Sequence, residues 1–195
     1  MSETINFLDD SNEGTTPSIE LVRFTENELA VIPFTPHGER VILHYCSEPE
    51  LGHYVRCLGD SCLLCRIGRE QAPRRLLPVY LPTVKTIGVL PVSESRRPHA
   101  LLPQLYTILK TSQPLVVFIR CENHTKFLVS TRALDPDIDA GEEQIQQFLK
   151  EHEAGRIPLT SIYSSLTNHE LAEVSGIAEH MKLKGVTLDA DDSRT

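Results

Sequence analysis

Tryptophan is absent and aromatics make up only 6% of the 195 residues, so any ring-stacking function has few side chains to work with. No run approaches the roughly 18 apolar residues of a membrane span, and no membrane partner is expected. The first residues, MSETINFLDDSNEG, show neither the basic start nor the apolar stretch of a secretory leader. A reducing, cytoplasmic setting is therefore expected. A Gly-rich phosphate loop, a nucleophile elbow and His-Glu-x-x-His are all missing. There is no internal repeat and no long low-complexity segment.

What is present is ordinary in amount and uneven in placement. The hydrophobic share is 40% and the charged share 24%, as in soluble globular proteins. The length allows one core with an appendage or two small domains. The net charge of −8 conceals a segregation. Residues 40–132 carry 13 Lys and Arg against 6 Asp and Glu, net +7. Residues 1–39 carry 1 against 8, and residues 133–195 carry 5 against 13. A basic middle between acidic ends suits a polyanionic partner better than the average charge suggests.

Periodicity divides the chain coarsely. Residues 1–18 read as a flexible acidic arm. Short strands are expected in 19–34, in RVILHYC from Arg40, and in 77–92, where prolines mark the borders. ALLPQLYTILKT reads as a helix starting near Pro103. PLVVFIR and TKFLVSTR read as a hairpin about Glu122-Asn123-His124. Residues 133–185 read as a helical region. Ile145, Phe148 and Leu149 share a helix face that closes at Gly155 and Pro158, with Asp139 near its cap. Thr167 and Glu170 form a capping box for a further helix ending at Gly185. An acidic tail, 186–195, follows. The expected fold is mainly β with added helices: a small OB-like barrel over 19–132 with an inserted zinc-binding loop, 44–65, with an open mixed sheet as the alternative.

Four of five cysteines fall between positions 46 and 65. Without a leader peptide, that crowding reads as metal binding rather than a disulfide framework. Cys62-Leu-Leu-Cys65 offers two thiolates from one tight turn, and Cys57 a third across Leu-Gly-Asp-Ser. The fourth ligand comes from His44, Cys46 or His53. His44 is preferred, because a strand can deliver its ring from a distance. Four protein ligands make a closed structural site for one Zn²⁺. A redox Cys-x-x-Cys lacks its usual βαβ surroundings.

The order His44, Cys57, then Cys62-x-x-Cys65, preceded by Pro33-Phe34-Thr35-Pro36, resembles the single-stranded DNA-binding protein of T-even bacteriophages and its relatives. LPVYLPTVKTIGVLPV and ALLPQLYTILK resemble that family's following strands and helix. The resemblance covers residues 33–130. It implies an OB-fold with a zinc subdomain, a basic cleft for single-stranded DNA and a role in replication, recombination or repair. The gap between Cys57 and Cys62 is shorter than in the phage protein, and the family's basic N-terminal arm has no counterpart.

Single strands are held by cations that track phosphates and by rings on which bases stack. The candidate cations are Arg56, Arg66, Arg69, Arg74, Arg75, Lys85, Arg96, Arg97, Lys110, Arg120 and Lys126. Arg74-Arg75 and Arg96-Arg97 stand out as adjacent pairs expected in loops. Tyr45, Tyr54, Tyr80 and Tyr106 are candidate stacking rings, while Phe118 and Phe127 are assigned to the core. RNA is possible in place of DNA, and the acidic C-terminus is a candidate contact for replication or recombination proteins.

Two other classes compete. A zinc deaminase would use His37 and Glu39 with Cys62 and Cys65, but Ser61 stands where its motif has proline, and Glu39 leads into a strand. A zinc-stabilised interaction subunit of a larger nucleic-acid assembly is the other. Asp135, Asp137 and Asp139 invite a calcium loop, but Ala140 and Gln146 occupy the places of its Gly and Glu.

Overall fold

β-branched and aliphatic residues in short runs, separated by Pro, Gly and polar turns, produce strands that outnumber the helices in a mixed α/β protein. A computed structural model describes residues 19–24, 28–35, 38–110, 115–122, 126–135, 137–139 and 141–188. The expected arm 1–18, His37, the hairpin tip 123–125 and most of the acidic tail lie outside them. The elements are β1 (Glu20–Leu21), β2 (Leu29–Pro33), β3 (Glu39–Tyr45), β4 (Tyr54–Arg56), α1 (Leu63–Arg66), β5 (Gln71–Leu81), β6 (Thr86–Ser93), α2 (Leu101–Leu109), β7 (Leu115–Glu122), β8 (Lys126–Ala133), α3 (Glu142–Glu153), α4 (Asn168–Glu173) and α5 (Ser175–Lys184).

The chain forms two units, one of residues 1–39 and 75–159, the other of 40–74 and 160–195. In the first, the strands run in the order β1-β6-β5-β2-β7-β8. β1 lies parallel to β6, while β2 is antiparallel to both β5 and β7. Leu76 to Leu81 of β5 are all buried, as befits a strand inside a sheet. Leu77, Val79, Leu90, Val92, Val117 and Ile119 form the centre of this core, and Leu101, Leu102 and Leu105 of α2 pack on it.

The sheet is open, where a closed barrel was expected. Closure needs the first and last strands of the path to pair. Here the first part of the outer edge of β8 is taken by α2 and its approach: Phe127 N–H donates to His99 O at 3.1 Å, and Gln104 Nε2 donates to Phe127 O at 3.0 Å. The prolines also depart from expectation. Pro73 and Pro78 lie inside β5 rather than at its border, so Arg74 and Arg75 are strand residues, not loop residues.

The β7–β8 hairpin has the expected register, with Glu122 opposite Lys126. α2 begins two residues before Pro103. Asp139 lies near the cap of α3 as expected, two residues before the N-cap Gly141, but does not itself cap the helix. Its buried carboxylate instead takes two hydrogen bonds from the Arg132 guanidinium and one from Asp135 N–H. The region 133–185 is divided: α3 belongs to the first unit, α4 and α5 to the second.

The second unit is built around β3 and β4, antiparallel with His44 opposite Val55 and Tyr45 opposite Tyr54. Its core comprises Cys46, Leu51, Val55, Cys62, Leu63, Leu64, Ile67, Leu171 and Ile177. α4 starts on the expected capping box, in which Thr167 Oγ1 accepts from Glu170 N–H and Glu170 accepts from Thr167 N–H.

Candidate metal centre

Strand alternation sends neighbouring side chains to opposite faces. Tyr45 is therefore exposed while His44, one residue earlier, is fully buried. β4 then leads to Cys57, whose N–H donates to Ile42 O of β3 at 2.9 Å. A tight turn through Gly59, in the left-handed region at φ 78°, returns the chain so that Cys62 N–H donates to Gly59 O. α1 follows at once and presents Cys65 one turn after Cys62.

His44, Cys57, Cys62 and Cys65 converge, with all four ligand atoms within 4.8 Å of one another. His44 Nε2 lies 3.5 Å from Cys62 Sγ and 3.4 Å from Cys65 Sγ, and Cys57 Sγ lies 3.6 Å from Cys65 Sγ. A tetrahedron with metal–sulfur bonds of about 2.3 Å and metal–nitrogen bonds of about 2.0 Å has edges of about 3.5–3.8 Å. These three spacings fit that figure and lie far beyond a disulfide bond of about 2.05 Å. All the cysteines are free. The cluster can hold a single metal ion, and four protein donors leave no position of the tetrahedron for water or substrate.

The surroundings orient the ligands. His44 Nδ1 faces Glu70 O at 3.1 Å, which assigns the proton to Nδ1 and leaves the Nε2 lone pair for the cluster. Gln71 Nε2 donates to Cys65 Sγ at 3.3 Å and to Cys57 Sγ at 3.7 Å. Asn168 Oδ1 accepts from Leu63 N–H at 2.8 Å, and its Nδ2 donates to Ser61 O at 2.9 Å, so one buried side chain of α4 straps both sides of Cys62. Burial pushes the Cys57 thiol up to about 11, with the adjacent Cys65 thiol adding to the rise. Burial also acts upward on Cys62, but the nearby His44 ring and backbone hydrogen bonds outweigh it and bring that thiol down to about 6. Metal uptake at neutral pH would accordingly displace protons from the thiols.

The two other candidates for the fourth ligand lie elsewhere. Cys46 packs in the apolar core, and His53 is exposed on the loop before β4. Glu39 opens β3 and is not in the cluster; its carboxylate lies 3.6 Å from His152 Nε2. Gln71 and Asn168 were not legible in the sequence, because nothing in a lone Gln or a helix-start Asn signals a sulfur or a distant backbone group.

The candidate nucleic-acid residues divide between the units. Arg56, Arg66, Arg69, Arg74, Tyr45 and Tyr54 share the unit of the metal cluster, and the other nine lie in the first. Tyr80 is 1% exposed, its ring packed on Gly141, where a Cβ would come within 2.4 Å. It offers no face to a base, and its place is the core. Arg75 is paired with Glu94 at 2.8 Å, Arg69 with Glu48, and Lys126 with Glu122 at 3.0 Å. Arg66 donates to Thr187 O. Lys85, Arg96, Arg97, Lys110 and Arg120 are exposed and have no ion-pair partner among the described residues. Phe127 packs edge-on to Phe24 at the core, as expected, whereas Phe118 is only half-buried beneath the Arg132 guanidinium. No described helix is long and apolar enough to cross a membrane. Comparison with protein-family models, with curated proteins and with solved structures finds no match to this chain.

Proposed function

We propose that this chain is a non-enzymatic single-stranded nucleic-acid-binding protein, with DNA favoured, in which one zinc ion plays a structural part. The observation that carries the reading is the run of exposed cations on the first unit. Lys85, Arg96, Arg97, Lys110 and Arg120 project from its turns, loops and strands without a described acidic partner. Exposed cations without a described acidic partner suit a phosphate backbone, whose condensed counterions are released on binding. Zinc suits the His/Cys₃ donor set, since three thiolates and an imidazole match its borderline softness and tetrahedral habit. The ligand order shared with the phage single-stranded DNA-binding family supports the same reading, as does the absence of an open coordination position.

The test is a titration of labelled oligo(dT) and oligo(U) at several salt concentrations, with metal content measured on the same sample. Reversal of Arg96 and Arg97 together (R96E/R97E) is expected to weaken binding about tenfold or more. It should also lower the salt slope by about 0.7 for each phosphate that the variant no longer engages. An unchanged slope removes these two residues from the site. A wild-type protein that holds zinc yet binds neither oligonucleotide overturns the function.

A further inference from the structure

Where the first unit carries exposed cations, the second unit carries something different, an ordered row of rings with one member left open. Resting on the proposed function, we propose that the β3–β4 ribbon is a base-stacking platform for single-stranded nucleic acid. Tyr45 receives the base, and Arg74 supplies the fixed positive charge beside it.

The row follows from register. Tyr45 lies directly opposite Tyr54, so the two rings share the ribbon face that His44 and Val55 do not use. They meet edge to face, 5.5 Å apart at 69°. Tyr163 continues the row from Tyr54, at 6.4 Å and 70°. On the other side, Cys46 N–H donates to His53 O at 2.8 Å and closes the intervening loop. Gly52 and His53 there both adopt positive φ, 62° and 76°. That conformation is costly for a residue with a Cβ. It brings the His53 ring parallel to Tyr45, 6.0 Å away at 4°. Arg74 from β5 holds its guanidinium 5.4 Å from the centre of the Tyr54 ring and donates to the Tyr54 hydroxyl at 3.0 Å. Arg56, two residues beyond Tyr54, falls on the same face of the strand.

Neighbours on two sides set the orientation of the Tyr45 ring, yet it remains 53% exposed. A ring held in place with an open face loses little entropy when a base covers it. Every base has a π-face, so such a platform tolerates sequence. Extended proline-rich segments also dock on tyrosine rows. The flanking Arg74 and Arg56 favour the nucleic acid, because a phosphate needs positive charge and a polyproline strand does not.

The experiment uses the full chain loaded with zinc and fluorescein-labelled oligo(dT). Tyr45→Ala is expected to weaken binding about tenfold, the loss of one stacked base, with zinc content, melting temperature and salt slope unchanged. Tyr45→Phe keeps the ring and is expected to bind like wild type. Arg74→Gln lowers the salt slope by about 0.7. The chain has no tryptophan, so tyrosine emission is directly readable. Oligo(dT) should quench it, and Tyr45→Phe should lose part of the quench while keeping the affinity. Wild-type affinity in Tyr45→Ala, alongside weakened binding in R96E/R97E, overturns the platform and leaves the function standing. No binding by wild type overturns both. A proline decamer that binds wild type but not Tyr45→Ala, with oligo(dT) leaving Tyr45 emission unquenched, makes the row a peptide site and overturns the platform.

Discussion

Asn168→Ala isolates the strap that holds the metal-binding turn. Asn168 is fully buried, and its amide satisfies Leu63 N–H at 2.8 Å and Ser61 O at 2.9 Å. Truncation leaves both backbone groups without that partner, and a buried group so stranded costs about 1–3 kcal/mol. Leu63 is wholly inaccessible, while Ser61 is partly exposed and can turn to water. The net loss should be about 2–4 kcal/mol, with the larger share at Leu63. For a unit of this size each kcal/mol moves a melting midpoint by about 4–8 °C, so a fall of about 10 °C or more is expected. Ser61 and Leu63 flank Cys62, so the loosened turn should also weaken zinc about 10–100-fold, as loss of a ligand-orienting group usually does. Thermal melting by circular dichroism and competition against a colorimetric chelator measure the two effects. Thr167→Ala is the control. It removes the α4 cap, at about 1 kcal/mol, without touching the turn, and should leave the chelator result at wild type. The reasoning fails if Asn168→Ala keeps wild-type zinc affinity, or if Thr167→Ala weakens zinc as much.

The ligand assignment gives a sharp contrast: His44→Ala and Cys57→Ser should each abolish stoichiometric zinc and unfold the second unit, whereas Cys46→Ala and His53→Ala should retain the metal. Metal analysis after gel filtration reads the difference, and zinc retained by His44→Ala would overturn the assignment. For Asp139, the hydrogen bonds from Arg132 hold the carboxyl below its ordinary range. A native pKa lower than the unfolded one stabilises fully above the unfolded value, about 3.9, and that contribution fades as pH falls through the native value. Asp139→Asn should therefore melt several degrees below wild type at pH 7, and the two curves should draw together as pH falls below the ordinary carboxylate value of about 3.9. Parallel curves across that range would refute the ion pair as the source.

Local signals survived into the structure where the physics is local. The Cys-x-x-Cys turn, the strand that carries His44, the capping box at Thr167 and the β7–β8 register each depend on residues close in the chain, and each was legible from spacing and residue type. The preference for His44 rested on its place in a strand, and the structure brings it to the cluster as expected; the exclusion of Cys46 and His53 was not legible. Cys46 has the better ligand chemistry and lies nearer in sequence to Cys57, and only the fold shows that Cys46, just past the end of β3, packs in the apolar core while His44 joins the cluster. The open sheet was equally hidden, because whether a strand or α2 takes the edge of β8 depends on contacts between segments that periodicity treats separately. Tyr80 reads like any other strand tyrosine until Gly141, sixty-one residues later, is found beneath its ring. By itself, then, the sequence determined which groups can bind a soft metal ion and roughly where most strands and helices lie, since those follow from side-chain chemistry and near-neighbour backbone preference. Tertiary structure alone decided which of those groups meet, which face water and which are strapped by Asn168 from more than a hundred residues away, because convergence in space depends on how the whole chain packs.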